Sequence, residues 1–273
     1  MRSRKAIGTI GVNIFAWVLS LILITPLILI LVNSFKTSTA AAEMNLALPE
    51  VFQFSNYLTV IEKGRLGVSF VNSLIYSVFS VTLATLTSSM AAYVLSRNRC
   101  KANKIIYFII VLGITMPINF VALMKVMQIL QIVNTKIGII LLYSAMQIPF
   151  NVFLIHSFIG KIPRDIDEAA TIDGASPLRL FFLIILPLLK PVLVTVMVLG
   201  FLGTWNEFVL PLYYLAHSAN YPMVLSVYNF FGRYWMDWNL VCGNIVLTSL
   251  PVIIVYLLGQ RYIVSGMTLG AVK

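Results

Sequence analysis

Charge is what this chain has least of. Asp, Glu, Lys and Arg make up only 10% of its 273 residues, while 60% are hydrophobic and the mean hydropathy is +0.95. A soluble domain of this length carries about a quarter charged residues. A surface this poor in charge faces something other than water, and lipid fits it. Acids are the scarcer sign, nine against nineteen basic residues, for a net charge of +10. The basic residues sit in short clusters between apolar runs rather than along one face, which argues against a nucleic-acid stripe. Cysteine is almost absent: Cys100 and Cys242 lie too far apart to form a redox or ligand motif and read as small packing residues. The two histidines, His156 and His217, lack paired ligands. No Gly-x4-Gly-Lys-Ser/Thr loop exists to cradle a nucleotide, and no His-Glu-x-x-His or Cys-x-x-Cys pattern to hold a metal. No serine has a nominated base. Catalysis and metal binding are therefore not expected in this chain.

What the sequence does have is long hydrophobic runs. A helix needs roughly 20 apolar residues to cross the hydrocarbon layer, and six stretches qualify: 10–32, 70–95, 105–123, 137–158, 183–202 and 241–258. They read as apolar all round, which excludes the alternating strands of a membrane barrel. The first run follows Arg2, Arg4 and Lys5 but is too long for a signal-peptide core, so it reads as a retained span. Basic residues set the orientation. Arg97, Arg99, Lys101 and Lys104 fill the second connection, and Lys161, Arg164 and Arg179 the fourth. The odd-numbered connections are poorer in them for their length. The expectation is an all-α integral membrane protein of six helices with both termini in the cytoplasm. Two outer connections are long: 33–69, and 211–240, which holds Tyr213, Tyr214, Tyr221, Tyr228, Phe230, Phe231, Tyr234, Trp235 and Trp238.

The fourth connection holds four of the nine acids: Asp165, Asp167, Glu168 and Asp173. Asp165 can cap a helix, with Glu168 three residues on reaching back. Gly174 is a natural helix stop, because glycine takes the left-handed conformation. Ser176 and Pro177 form a second start, cap then first turn. The pattern gives helix, glycine elbow, helix, feeding the fifth span through Pro187 and Pro191, which break backbone hydrogen bonds and place a kink. Ala169, Ala170 and Ile172 form a small apolar patch, a feature of close docking in a partner's groove rather than of a solvated loop.

Glu168-Ala-Ala-x-x-x-Gly174, followed after nine residues by Ile184-x-Leu186-Pro187, resembles the EAA signature of ABC-importer permease subunits. Within that family the chain is similar to sugar-importer permeases of the MalG type. The likeness runs from Asn33-Ser-Phe-Lys36 through Asn56-Tyr57, Phe70-Val-Asn-Ser73 and Thr204-Trp-Asn-Glu-Phe208 to Ser265-Gly-Met-Thr-Leu-Gly-Ala-Val-Lys273. The resemblance implies a type I (MetI-like) importer permease fold. It divides the chain into an N-terminal span and outer loop (1–66), a permease domain (67–262, with its EAA loop at 165–187) and a cytoplasmic tail (263–273). It also implies that Asp165, Glu168, Ala169, Ala170, Asp173, Gly174, Ala175, Leu186 and Pro187 couple the chain to a cytoplasmic ATPase. Gly266, Thr268, Gly270 and Lys273 of the tail would then reach into the ATPase pair, and the last outer loop would probe a solute-binding protein.

Trp205, Asn206, Glu207, Tyr221, Tyr228 and Trp235 are candidates for that outer face or for a gate, against the alternative that they anchor at the lipid headgroups. The implied assembly is a prokaryotic cell-membrane importer. Its parts are this chain, a second homologous permease, two ABC ATPases that bind ATP and magnesium, and an extracellular binding protein; this chain itself holds no cofactor. The implied cargo is a carbohydrate; a polyol or glycerol phosphate is the alternative. An ion-coupled carrier is more remote, because the six runs carry no carboxylate.

Overall fold

A computed structural model describes the backbone of residues 2–98, 100–231 and 236–271, and the side chains within 12–98, 100–231 and 236–260. Among these residues there is no strand, and the only β-bridge is an isolated antiparallel one between Phe231 and Met236. Along the chain run α1 (Arg2–Asn33), α2 (Ser38–Ala41), α3 (Ser55–Lys63), α4 (Leu66–Arg97), α5 (Lys101–Leu112), α6 (Phe120–Ile129) and α7 (Lys136–Ile159). They are followed by α8 (Asp165–Ile172), α9 (Pro177–Leu180), α10 (Leu186–Leu188), α11 (Lys190–Asn206), α12 (Val209–Tyr214) and α13 (Trp238–Ala271).

Among the described residues, four helices are long and apolar enough to cross a membrane: Val12–Asn33, Leu66–Arg97, Lys136–Ile159 and Trp238–Gln260. A fifth crossing is made if Pro177–Leu188 and Lys190–Asn206, bent by 76°, count as one. The run expected at 105–123 is different. Its helix α5 has 12 residues, and turns through Gly113–Ile118 separate it from α6. Pro117 lies in that break, where it lacks the N–H a continuing helix needs.

Contacts divide the chain into two compact units, Met1–Gly67 with Ser226–Leu250, and Val68–Leu225 with Pro251–Lys273. In the first, α1 is exposed from Val12 to Ile28, as a helix apolar on every side must be when it faces lipid or another chain. Two motifs singled out in the sequence, 33–36 and Asn56-Tyr57, meet here. Asn56 is buried, and its Nδ2 donates to the carbonyls of Ser34 and Lys36, both at 2.9 Å, while its Oδ1 accepts from Asn239. The Ser34 hydroxyl pairs with that of Tyr57 at 2.7 Å. Lys36 is only 3% exposed; its ammonium donates to the carbonyl and side-chain oxygens of Asn45 at 2.8 and 2.7 Å. Lys36, part of the first of these motifs, is thus a structural strut.

The larger unit is built on α4, which is not apolar all round. Ser69, Asn72 with Ser73, Tyr76 with Ser77, Ser80, Ala84 and Ser88 recur every three or four residues and are all buried. Such a stripe of small residues lets neighbouring backbones approach closely in a membrane; Ser144 of α7 donates to the Ser80 carbonyl at 3.2 Å. Near the Leu66 end the polar members hold the segment after α12. Asn72 Nδ2 donates to the carbonyls of Ala219 and Tyr221, Tyr76 to that of Asn220, and the Ser73 hydroxyl accepts from Met223 N. One apolar cluster gathers Tyr76, Ile139, Leu142, Tyr143, Leu210, Tyr214 and Leu215. Another, toward the Arg97 end of α4, gathers Ala92, Ile155, Ile159, Phe181, Ile185, Leu189, Val192 and Val196. His156 stacks on Tyr107, ring centres 4.1 Å apart, and so joins α7 to α5. Both cysteines are free: Cys242 is buried packing as expected, whereas Cys100 is exposed and caps α5, its sulfur accepting from Asn103 N.

Candidate functional site

The acidic connection folds into the expected helix, elbow and helix, with two corrections and one ion pair that the sequence reading did not contain. First, α8 begins at Asp165 itself; Arg164 occupies the cap position in a helical conformation, and no side chain caps that end. Asp165 and Glu168 therefore do not form a capping box. Asp165, Asp167 and Glu168 instead lie in the first turn, where their negative charge favours the helix dipole.

Second, the apolar patch divides. Ala170 is 6% exposed and belongs to the apolar cluster with Ala92, Ile159, Leu180 and Phe181. Glu168, Ala169 and Asp173 are exposed, and Ile172 stands 86% exposed. Ala170 is the foot of the helix; Ala169 and Ile172, three apart, are its free apolar face.

Third, Asp167 points inward. Arg97, in the last turn of α4, pairs its Nε with Asp167 Oδ2 at 2.5 Å and donates from Nη1 to the Ile162 carbonyl at 3.1 Å. Arg164 returns the contact, donating to the Arg97 carbonyl at 3.0 Å. The two paired side chains are only 14% and 16% exposed. The basic run that set orientation in the sequence thus contributes the residue that holds the loop down. Only the coincidence of Arg97 and Asp167 at two connections on the same side pointed to this pairing.

The helix ends as glycine dictates. Gly174 has φ +82°. Its N–H donates to the Thr171 carbonyl, and Ala175 N–H donates to the Ala170 carbonyl, each at 3.0 Å; this double closure is the Schellman motif. A Cβ at Gly174 would meet nothing within 4 Å, so glycine is required there by its backbone angle alone. Ala175 is half-buried against the same cluster as Ala170. The Ser176 hydroxyl then accepts from Arg179 N at 3.4 Å, with Pro177 in the first turn of α9.

Beyond α9 the chain winds wide, as a π-helix, through Phe181–Ile185. Pro187 lacks the N–H that would close onto the Leu183 carbonyl, which accounts for this slack turn. Leu186 is half-buried in the cluster and Pro187 is exposed. The 76° bend follows before Lys190. Ala170, Leu180, Phe181, Ile185, Val192 and Val196 all pack in one cluster, so α8 and the bent helix α11 share a single packed foundation.

At the other end of α11, Trp205 is 1% exposed, between Phe201 and Phe70 with ring centres 5.4 and 5.9 Å away. Its ring is packed among other aromatic side chains rather than presented at the surface. Asn206 is exposed and donates to the Leu202 carbonyl. Glu207 has a local task the sequence did not disclose: its Oε1 accepts from Val209 N at 2.8 Å and Leu210 N at 3.0 Å, capping α12. Tyr221 is half-buried; Tyr228 is 41% exposed beside Phe231. Trp235 and Lys273 lie outside the described residues. Gly266, Thr268 and Gly270 fall in α13, which stays helical to Ala271, and their side chains lie outside the described part. Residues 263–271 of the stretch expected as a tail therefore continue the last helix.

Residues 84–269 match the family model of the binding-protein-dependent transport system inner membrane component. The chain belongs to this family. Relatives in it include the "Probable starch degradation products transport system permease protein AmyC" of Thermoanaerobacterium thermosulfurigenes, 37% identical over 94% of each chain. The diacetylchitobiose uptake system permease protein NgcG of Streptomyces coelicolor is 33% identical over 93% of this chain and 85% of its own. Among solved structures, a chain of a bacterial ABC transporter involved in import of the acidic polysaccharide alginate superposes with a TM-score of 0.83. It is 24% identical, covering 96% of this chain and 98% of that one; the likeness establishes the fold. As an ABC permease, the protein is a multi-pass membrane transport component.

Proposed function

We propose that this chain is the permease subunit of an ATP-driven importer that carries a carbohydrate delivered by an extracellular solute-binding protein. ATP and magnesium belong to a pair of separate ATPase subunits, and a second homologous permease completes the pathway. The observation that carries this reading is the EAA loop: a short helix, pinned from below by Arg97 and Ala170, presents Ala169, Ile172 and Glu168 outward. Its elbow and foundation connect directly to the bent helix α11, so a push on α8 reaches a membrane helix through packed side chains. The carbohydrate named in each of the two relatives supports the solute class.

In this assembly six helices cross, with both termini cytoplasmic. The third crossing is α5 with the turns after it. At 12 residues α5 is about 18 Å long, against roughly 30 Å of hydrocarbon. Irregular backbone at that depth is tolerated where protein covers it, and the second permease supplies such cover. Orientation has a built-in reporter, since Cys100 is exposed and Cys242 buried. A membrane-impermeant maleimide is expected to label Cys100 in inside-out vesicles and not in right-side-out ones; labelling only from outside overturns the orientation.

The functional test is uptake by the reconstituted assembly. Sugar should enter only with the binding protein outside and ATP on the ATPase side. Uptake driven by a proton or sodium gradient without ATP sinks the proposal.

A further inference from the structure

Within the larger unit, α7 and α11 present polar groups to one cavity. On α7, Tyr143, Gln147 and Asn151 follow at intervals of four, forming one stripe. On α11, Gly200, Gly203 and Thr204 form another, and Glu207 follows one turn later. Between them lies a cavity of about 380 Å³ lined by these residues together with Met146, Phe150 and Leu199. That size falls in the range of small-molecule sites, roughly 300–1,000 Å³.

Three atoms on the α7 stripe stand out. Tyr143 Oη, Gln147 Oε1 and Asn151 Nδ2 are buried without a hydrogen-bond partner among the described residues. Tyr143 and Asn151 are 4% and 2% exposed. Unpaired polar groups are costly in any interior, and more so at the depth of a membrane span, where no solvent stands in. Three on one cavity wall need a ligand to complete them.

The neighbouring contacts hold this wall in place. Gln147 Nε2 donates to the Tyr143 carbonyl and to Thr204 Oγ1, both at 3.1 Å. This fixes Gln147 Oε1 against Gly200, where a Cβ would collide with it. A Cβ at Gly203 would meet nothing within 4 Å, so the cavity is open on that side. Its lining contains no lysine, arginine or histidine among the described residues. The carboxylate of Glu207 is already engaged in capping α12. Neutral donors and acceptors beside an apolar floor suit a neutral, hydroxyl-rich ring: hydroxyls meet the amides and the phenol, and the ring's C–H face meets Phe150 and Met146.

We propose that this cavity is a solute-contact site belonging to this chain itself, which accepts a neutral sugar ring through Tyr143, Gln147 and Asn151. The proposal rests on the carbohydrate reading above and adds that this subunit, as well as its partners, recognises the cargo.

The test uses the complete assembly in proteoliposomes, with melibiose, raffinose and diacetylchitobiose as probes. Gly203→Cys is introduced in a Cys100→Ser background, so that the thiol sits at the open side of the cavity while the exposed native cysteine is removed. A hydrophilic methanethiosulfonate is expected to modify it, and a transported sugar supplied with the binding protein should slow the modification. Gln147→Leu and Asn151→Leu should each reduce sugar uptake about tenfold or more, equivalent to about 1.4 kcal/mol, with binding-protein-stimulated ATP hydrolysis retained. A thiol that is unreactive, or reactive but unprotected by sugar, in an assembly that still imports overturns the cavity proposal. Because a Cβ at Gly203 meets nothing within 4 Å, the cysteine is accommodated there and this result does not depend on the leucine variants folding. If the unmodified assembly imports none of the three sugars with ATP and binding protein, the carbohydrate reading fails instead.

Discussion

Ile172→Asp should abolish import while leaving the protein folded in the membrane. Ile172 is 86% exposed and belongs to neither buried cluster, so replacing it removes little that holds the fold. In the proposed assembly it is the apolar knob of the docking face. Hot-spot residues in such pockets are each worth about 2–4 kcal/mol, which is about 30- to 1,000-fold in association. Glu168→Lys should act at the same interface by reversing a charge in the first turn of α8, where it also opposes the helix dipole; Glu168→Gln separates the two contributions.

Ala170→Leu is the contrasting control. Ala170 is packed beneath the helix, so overfilling its site costs about 1–3 kcal/mol of stability and should lower expression as well as docking. Co-purification with the ATPase and ATP-dependent uptake are the two measurements. If Ile172→Asp and Glu168→Lys recruit the ATPase and import like the unmodified chain, α8 is not the docking helix.

The sequence and the structure agree best where local physics dominates. Gly174, Ser176 and Pro177 carry conformational instructions strong enough to read directly, and the elbow forms where they place it. Four of the long apolar runs are continuous helices for the same reason, since length and hydropathy leave few alternatives. Agreement fails where long-range packing decides. Asp165 and Glu168 fit a capping box, yet Asp167 is drawn toward Arg97 from 70 residues away, and the helix starts one residue too early for the box. Ala169 and Ala170 are chemically identical, and only the rotation of about 100° between them on α8, set against the apolar cluster, sends one outward and the other in. The serine stripe of α4 is hidden in a run whose average hydropathy is that of a plain span. Trp205 looked interfacial because tryptophan usually is, but Phe70 of a different helix encloses it. The break after α5 depends on Pro117 and on what covers the turns beside it, which one chain's hydropathy does not encode.

Arg97→Met should be the most damaging single change outside the docking face. α8 has eight residues, well below the 12–15 at which isolated helices become even marginal, so its order depends on what it rests on. That support is Ala170 below and Arg97 alongside, the latter reaching both Asp167 and the Ile162 carbonyl. Removing one partner of a largely buried ion pair costs about 3–5 kcal/mol because the other charge is left uncompensated. The 14% and 16% exposure of the two side chains places this pair at or below the lower figure, about 3 kcal/mol or a hundredfold in the population of a seated α8. ATPase association and coupled uptake should fall by that order. Lys101 and Lys104 remain in the same connection, so the orientation signal survives and the Cys100 labelling pattern should not change.

Asp167→Asn should be milder, since an amide oxygen can still accept from the guanidinium. The exchange of Arg97→Asp with Asp167→Arg should recover part of what either loses alone. A double-mutant cycle on ATPase association then gives the coupling energy directly. A coupling near zero, or full import by Arg97→Met, means that α8 is held by Ala170 and the apolar cluster alone.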